Sequence, residues 1–250
     1  MVVLEELERY CNELLAADSF DDYCPNGLQV DAGGREIRRL VAGVTASQAL
    51  VDAAVESGAD LLLVHHGYFW KGEQAALRGI KGNRVRALMQ NGVSLLAYHL
   101  PLDAHLELGN NRQLADRLGI DGPAPLGDDG LLWSADLDVP LSAQDLAARI
   151  ASGLDRVPLH LEGGCGEIRT LAWCTGGAQG YIERAAGAGA DAFISGEVSE
   201  QTAHLARELG IHYFSAGHHA TERYGVQALG RHLAEKFGLE YRFREISNPV

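Results

Sequence analysis

The sequence predicts an α/β fold of two similar lobes that arose by internal duplication. Residues 34–67 resemble residues 165–198, and the similarity continues on both sides of this segment. Two tripeptides recur at one common offset, Glu-Ile-Arg at 36–38 and 167–169 and Gly-Ala-Asp at 58–60 and 189–191. In both copies apolar runs alternate with helical patterns, which is typical of βαβ units. We expect the lobes to occupy residues 1–125 and 126–250, joined by the Pro-, Gly- and Asp-rich segment 121–130.

The elements of the first copy follow from its hydrophobic pattern. A helix over 4–16 opens it, and two glycines at 33–34 indicate a tight turn between strands. Three apolar runs predict buried strands, at 41–44, 61–64 and 93–98. A helix over 47–57 separates the first two strands, with Thr45 and Ser47 as candidate caps.

The second copy repeats this order. A helix over 142–152 opens it, and Ser142 is the expected cap. Three apolar runs again predict strands, at 171–174, 192–195 and 212–217. A helix is expected over 178–188, between the first two strands.

Composition narrows the classes of protein that the chain can belong to. The net charge of -13 argues against a general affinity for nucleic acid, although a local basic patch, or one built by oligomerisation, is left open. No apolar run of about 18 residues occurs, so no membrane span is expected. Because the acidic amphipathic N-terminus does not resemble a signal peptide, we expect a cytoplasmic protein. The four cysteines, Cys11, Cys24, Cys165 and Cys174, form no CxxC motif and are expected to be reduced thiols.

Polar side chains of one chemical kind follow three of the predicted strands. Each strand end carries a histidine together with a carboxylate or a second histidine: His65 and His66; His99 and Asp103; His218, His219 and Glu222. Ligands in α/β folds collect beyond the carboxyl ends of strands. A single histidine at such a place is more often a hydrogen-bonded structural residue, but three such clusters together favour a metal site.

The spacing of His218 and Glu222 strengthens the metal interpretation. If a helix begins after Gly217, residues four apart lie on one face, so that the imidazole and the carboxylate can converge on one ion. This mixture of ligands suits Zn, Mn, Fe, Co or Ni. Asp103, just beyond Pro101, is expected to be a loop ligand.

The duplication indicates how such a site is shared. His65-His66 of the first copy correspond to Gly196-Glu197 of the second, so the lobes have diverged at this point. Ligands from lobe one and lobe two are therefore expected to meet in the cleft between the lobes. Glu197 either faces the same cleft, supporting a ligand or a substrate, or is an ordinary surface carboxylate.

Four ordered motifs carry a resemblance to a known family. The segments "CPNGLQV", "HHGYFW", "YHLPLDAHLELGNN" and "SAGHHATERYG" are similar to those of the dinuclear-metal hexameric proteins of the NGG-interacting-factor-like family, whose members are commonly labelled type 2 homologues of GTP cyclohydrolase I. The resemblance covers essentially the whole chain and corresponds to the short bacterial form.

This resemblance implies two divalent metal ions in the cleft between the lobes and a toroidal homohexamer. The implied ligands are His65, His66, Asp103, His218 and Glu222, with Glu222 bridging both ions and the adjacent histidines serving different ions. His219 is left out because many relatives have an aromatic residue there. His99 is a candidate general acid or base, or a residue that orients Asp103.

Three classes of function remain open at this point. The first is a dinuclear metallohydrolase acting on a small molecule, with a nucleotide among the candidates and water attack on the guanine ring of GTP, with formate release, as the implied reaction. The second is a metal-binding, ring-shaped regulatory or partner-binding protein without hydrolase activity, and the third is a metal carrier. The turn "CTGGAQG" at 174–180 is a weaker candidate for binding phosphate, against a plain strand-to-helix turn.

Overall fold

The computed structural model describes residues 1–34, 36–164 and 166–250. Arg35 and Cys165 lie outside the described residues. The elements of the first part of the chain, in order, are β1 (Val2–Val3), α1 (Leu4–Leu14), β2 (Gly27–Val30), β3 (Glu36–Ile37), β4 (Arg39–Thr45), α2 (Gln48–Glu56), β5 (Leu61–His66), α3 (Gly79–Gln90), β6 (Ser94–Ala97) and α4 (Leu100–Ala104). A short 3-10 turn, Ala17–Ser19, follows α1.

The second part of the chain continues the alternation of helices and strands. Its elements are α5 (Asn110–Leu118), β7 (Ala124–Leu126), β8 (Leu132–Leu141), α6 (Ala143–Leu154), β9 (Leu159–Leu161), β10 (Ile168–Cys174), α7 (Ile182–Gly187), β11 (Ala192–Ser195), α8 (Glu200–Leu209), β12 (His212–Ser215), α9 (His218–Phe237) and β13 (Glu240–Phe243). A 3-10 turn, Gln179–Tyr181, precedes α7.

One compact unit comprises residues 1–102 and 225–247. Its sheet has the strand order β13-β4-β5-β6-β2, in which β13, β4, β5 and β6 run parallel and β2 is antiparallel to β6. The four apolar residues that begin β5 are fully buried, which explains why this strand reads as a continuous apolar run. Helices α2 and α3 pack Leu50, Val51 and Leu88 into the core beside this strand.

The other compact unit comprises residues 103–224 and 248–250. Its sheet has the order β7-β8-β10-β11-β12-β9, with β10, β11 and β12 parallel and the flanking strands antiparallel. Trp133 and Trp173 are fully buried in its core, with their ring centroids 6.5 Å apart.

The two units share one local topology, which supports the predicted duplication. In each sheet, a run of three parallel strands, β4-β5-β6 in one and β10-β11-β12 in the other, is bordered by an antiparallel strand, which is β2 beside β6 and β9 beside β12. The repeated Gly-Ala-Asp motif also plays the same part twice. Asp60 accepts hydrogen bonds from the backbone N–H groups of Arg38 and Arg39, at 2.9 and 2.8 Å. Asp191 accepts the equivalent pair from residues 169 and 170, both at 2.9 Å.

Most predicted elements are present, with several local differences. Ser142 caps α6 by accepting from the Asp145 N–H, and Ser47 caps α2 in the same way. Thr45 is not a cap, because it is the last residue of β4. The helix expected over 178–188 is divided into the 3-10 turn and α7. The segment expected to be a linker contains β7, whose backbone pairs with β8.

The expectations about membrane spans and about the cysteines can be compared with the described residues. Within residues 1–34, 36–164 and 166–250, no helix is long and apolar enough to cross a membrane. Cys11, Cys24 and Cys174 are buried free thiols, as expected. The expectation for Cys165 lies outside the described residues.

Candidate metal centre

His65 lies at the end of β5 and is fully buried. Its Nδ1 is 2.9 Å from the carbonyl oxygen of Tyr98. Because a carbonyl can only accept, Nδ1 carries the proton, which leaves the lone pair of the ring on Nε2. His65 is therefore a core residue, whereas the neighbouring His66 is half-buried.

His66 is held by a side chain of the neighbouring strand. Its Nδ1 lies 3.1 Å from the hydroxyl of Thr45, the residue paired with it across β4 and β5. Its ring centroid is 4.5 Å from that of His65, so the two rings lean together at the strand end. Gly67 follows, and a Cβ there would lie 2.7 Å from Cβ of Ala97, so only glycine fits this close approach.

His99 follows β6 and is held by a buried carboxylate from another part of the chain. Its Nδ1 lies 2.7 Å from Oδ1 of Asp22, and its backbone N–H donates to Oδ1 of Asn26 at 2.8 Å. Burial alone would raise the pKa of Asp22, but hydrogen bonds from His99, Asn26 and the Leu100 N–H outweigh it and lower the pKa to about 2. Trp70 contacts the His99 ring edge to face, with 5.0 Å between centroids.

These three histidines form one group within their unit. One nitrogen of each of His65, His66 and His99 lies within 4.8 Å of the others, so this group could hold a metal ion. In each ring Nδ1 has a protein partner. Such a contact on one nitrogen is typical of histidines that bind metal through the other.

Asp103 belongs to the other unit and lies in α4, so the expectation that it stands in a loop is wrong. The short helix continues past Pro101 because a proline is tolerated in a first helical turn. The Asp103 carboxylate is buried, and its Oδ1 accepts hydrogen bonds from Nδ2 of Asn110 at 2.8 Å and from the hydroxyl of Thr175 at 3.2 Å. These contacts fix the orientation of the carboxylate.

His218 and Glu222 lie on the first turn of α9, which begins directly after Gly217, as predicted. His218 Nε2 is 3.0 Å from Oε2 of Glu222, and His218 Nδ1 is 2.7 Å from Oε1 of Glu197. Burial would lower the pKa of His218, but Glu222 and Glu197 outweigh it and raise the pKa to about 9. Of the two readings of Glu197, its hydrogen bond to His218 supports the one in which it orients a candidate ligand.

Gly176 leaves the space that the Glu222 carboxylate occupies. A Cβ at Gly176 would overlap with Oε1 of Glu222, and the backbone there has a positive φ of +69°. At Gly177 the nearest side chain is the Glu197 carboxylate, at 3.5 Å from an added Cβ. Two carboxylates beside these glycines oppose a phosphate, so the geometry favours the plain strand-to-helix turn.

His219 follows His218 on α9, and its backbone makes a hydrogen bond to the last residue of the chain. It is buried, and its N–H donates to the carbonyl oxygen of Val250 at 3.0 Å.

Several residues that support the candidate site are not identifiable from the sequence pattern. Asn26 belongs to the "CPNGLQV" motif of the family resemblance, whereas Asp22 lies two residues before that motif. Thr45 was read as a helix cap, and Asn110 stands in the "LGNN" part of another motif. The motifs that contain Asn26 and Asn110 were the available signal for these two residues, but no motif contains Asp22 or Thr45. The spacing along the sequence does not identify the partner of any of the four.

Comparisons with known proteins agree over the whole chain. The model of the DUF34/NIF3 (NGG1p interacting factor 3) family matches residues 2–249. A protein of Allochromatium vinosum named GTP cyclohydrolase 1 type 2 homolog is 56% identical, over 100% of this chain and 98% of that protein. A solved structure described as protein ybgI, of unknown function, has a TM-score of 0.94 and 49% identity, with 100% of both chains covered. The structure of TTHA1606 from Thermus thermophilus has a TM-score of 0.89 and 34% identity, again over 100% of both chains.

Proposed function

The chain belongs to the DUF34/NIF3 family, and we propose that it is a hydrolase that depends on two divalent metal ions. The proposed ligands are His65 and His66 from one unit and Asp103, His218 and Glu222 from the other. Zn, Mn, Fe, Co and Ni all suit this mixture of imidazole and carboxylate. A toroidal homohexamer and a cytoplasmic location remain predictions.

The observation that carries the proposal is the chemistry of the donor groups. His65, His66 and His218 each have Nδ1 engaged, by the Tyr98 carbonyl, the Thr45 hydroxyl and the Glu197 carboxylate respectively. Asp103 is oriented in the same manner by hydrogen bonds from two side chains. Partners that orient a ligand in this way are nearly as characteristic of metal sites as the ligands themselves, so the residues fit divalent ions.

The proposed chemistry is the attack of water on a polarised substrate atom. Bound in a pair, divalent ions polarise a substrate oxygen and lower the pKa of water toward neutrality. In this proposal Asp103 and Glu222 supply negative charge that offsets the charge of the ions, and His99 exchanges a proton with the reacting group through Nε2. Trp70 packs edge to face against the His99 ring, with 5.0 Å between the ring centroids.

The proposed substrate is a small molecule, and a purine nucleotide is the first one to test. The relatives are labelled homologues of GTP cyclohydrolase 1, which points to water attack on the guanine ring with release of formate. The label does not by itself assign the reaction to this chain, because one fold and one site can serve several substrates.

The test combines metal analysis with a hydrolysis screen. Purified protein should contain close to two metal equivalents per chain, and removal by chelator should abolish nucleotide hydrolysis until metal is added back. The double variant His65→Ala/His66→Ala should lose metal yet keep its circular dichroism spectrum, because the buried residues 61–64 hold the strand. His204→Ala is the matched control, since His204 is exposed and pairs with Glu200 on the same helix, α8.

Each result bears on the proposal. One metal equivalent or none would contradict the dinuclear site. Two equivalents with no turnover on any nucleotide, phosphate ester or amide would contradict the hydrolase and favour a metal-binding regulatory or partner-binding protein. Loss of the fold in the double variant would make the histidines structural.

A further inference from the structure

We propose that Asp22 is a positioning residue that holds His99 in a single tautomer, with the proton on Nδ1 and the lone pair on Nε2. The inference rests on the proposed function in one respect, because it is there that His99 Nε2 exchanges a proton. The tautomer itself is a property of the folded chain and can be measured without any substrate.

Asp22 is itself held at both carboxylate oxygens. Oδ1 lies 2.6 Å from the Tyr23 N–H nitrogen and 2.7 Å from Nδ1 of His99. Oδ2 lies 2.9 Å from Nδ2 of Asn26 and 2.9 Å from the Leu100 backbone nitrogen. The carboxylate is buried, so its orientation is set by these four hydrogen bonds to protein groups and not by hydrogen bonds to bulk water.

Asn26 and Asp22 together fix both the backbone and the ring of His99. The Asn26 side chain donates to Asp22 and accepts from the His99 N–H, so one amide links the two residues. The backbone contact fixes where the His99 side chain begins, and the Asp22 contact fixes the rotation of its ring. With its backbone and its Nδ1 both held, the imidazole ring of His99 has one orientation, in which Nε2 is on the side away from Asp22.

The carboxylate selects the tautomer because an ionised carboxylate can only accept hydrogen bonds. An imidazole protonated at Nε2 would set the Nδ1 lone pair against an Asp22 oxygen at 2.7 Å and lose a charge-assisted hydrogen bond. The tautomer with Nδ1–H gains that bond. A short, part-buried and charge-assisted hydrogen bond of this kind favours the tautomer with the proton on Nδ1.

A metal ion held by Asp22, Cys24 and His99 is the competing interpretation, since ligand atoms of all three lie within 4.8 Å of one another. The contacts oppose it. Both oxygens of Asp22 already accept hydrogen bonds from protein donors.

The test reads the imidazole directly, by the 15N chemical shifts of zinc-loaded protein, with His99→Ala used to assign the signals. We expect the wild type to show His99 protonated at Nδ1 alone. Asp22→Asn should remove this preference, giving a mixed or reversed tautomer, because an amide can donate to Nδ1 as well as accept from it. Asp21→Asn is the matched control, as Asp21 is exposed and contacts Lys71.

A second arm separates positioning from a structural role. On a substrate found by the screen, Asp22→Asn should lower kcat roughly 10²-fold to 10⁴-fold, with KM and zinc content unchanged. Asn26→Ala, which leaves the Asp22 bond to the ring in place, should keep the Nδ1–H tautomer. If no substrate is found, the proposed function fails while the tautomer measurement still decides this inference.

Three results would overturn the inference. The first is a wild-type His99 protonated at Nε2 or exchanging between tautomers. The second is an Asp22→Asn protein whose His99 spectrum is unchanged. The third is a zinc-induced shift of His99 Nε2, or loss of one zinc equivalent in His99→Ala, which would make His99 a metal ligand.

Discussion

Glu197 accepts a hydrogen bond from Nδ1 of His218 at 2.7 Å, while Nε2 of the same imidazole contacts Glu222 at 3.0 Å. The two carboxylates therefore hold the ring from both sides. Glu197 is the counterpart of His66 in the duplicated sequence. At this position one copy has a candidate ligand, and the other has a residue that orients one.

Removing the Glu197 side chain should weaken metal binding without unfolding the protein. In Glu197→Ala the Nδ1–H group of His218 loses its hydrogen-bond acceptor. The orientation of the ring is then less defined, and Nε2 becomes a weaker ligand for a metal ion. We expect the metal affinity to fall roughly 10-fold to 100-fold, measured by competition with a chelator of known affinity. Glu200→Ala, an exposed carboxylate on α8, is the control. Equal affinities in the two variants would contradict this role.

Gly176→Ala should cost more stability than its backbone conformation explains. The positive φ alone costs an alanine roughly 1–2 kcal/mol, and overlap with the Glu222 carboxylate should add roughly 1–3 kcal/mol. Gly189→Ala measures the backbone cost separately, because Gly189 has φ +85° and an added Cβ there meets open space among the described residues. Urea unfolding gives both free energies. If both variants lost the same free energy of unfolding, the absence of a side chain at Gly176 would not be needed to accommodate the Glu222 carboxylate.

The buried thiols should resist alkylation in the native protein. Burial raises the pKa of Cys11 and of Cys24 to about 12, and that of Cys174 well above its ordinary value. Since the thiolate is the reactive form, iodoacetamide at about pH 8 should label these residues slowly until the chain unfolds. Peptide mass spectrometry separates them from Cys165. Fast labelling of any of the three before unfolding would contradict the burial.

The fold was predictable from the sequence because its signals are local. The buried strand at 61–64 and the helix that begins at His218 follow from hydrophobic runs and from one glycine. The repeat of Gly-Ala-Asp also has a local cause, as each aspartate bonds the backbone of the neighbouring strand. The predicted helix at 178–188 was wrong in its first turn, where the structure has a 3-10 turn.

The residues that support the candidate site were not predictable in this way. Asp22 is far from His99 in sequence, and Thr175 is equally remote from Asp103. Such contacts depend on how strands are ordered in the sheet, which spacing does not encode. The contact between Thr45 and His66, which lie on neighbouring strands, was not predictable either. Thr45 lies opposite His66 because of the register between β4 and β5, which the residues around Thr45 do not determine.

His160 should make the protein less stable in acid. It lies on β9 with Nε2 3.1 Å from Nδ1 of His212, and its ring is stacked on Phe214 with 4.5 Å between centroids. Burial lowers the pKa of His160 and charge on His212 lowers it further, while Glu162 acts in the opposite direction. The unfolded chain therefore binds a proton more readily than the folded one. The free energy of unfolding should fall as the pH drops below about 6.5, the ordinary value for histidine, and level off below the lowered pKa.

The variant His160→Gln removes this titration and keeps a polar side chain at the edge of the sheet. Urea unfolding at a pH of about 7.5 and again at about 5.5 should show a smaller loss of stability for this variant than for the wild type. His204→Gln is the control, because His204 is exposed and pairs with Glu200 on the same helix. If His160→Gln and the wild type lost equal stability over this range, the folded protein would accept the proton on His160 as readily as the unfolded chain. The stacking on Phe214 and the contact with His212 would then tolerate a charged ring.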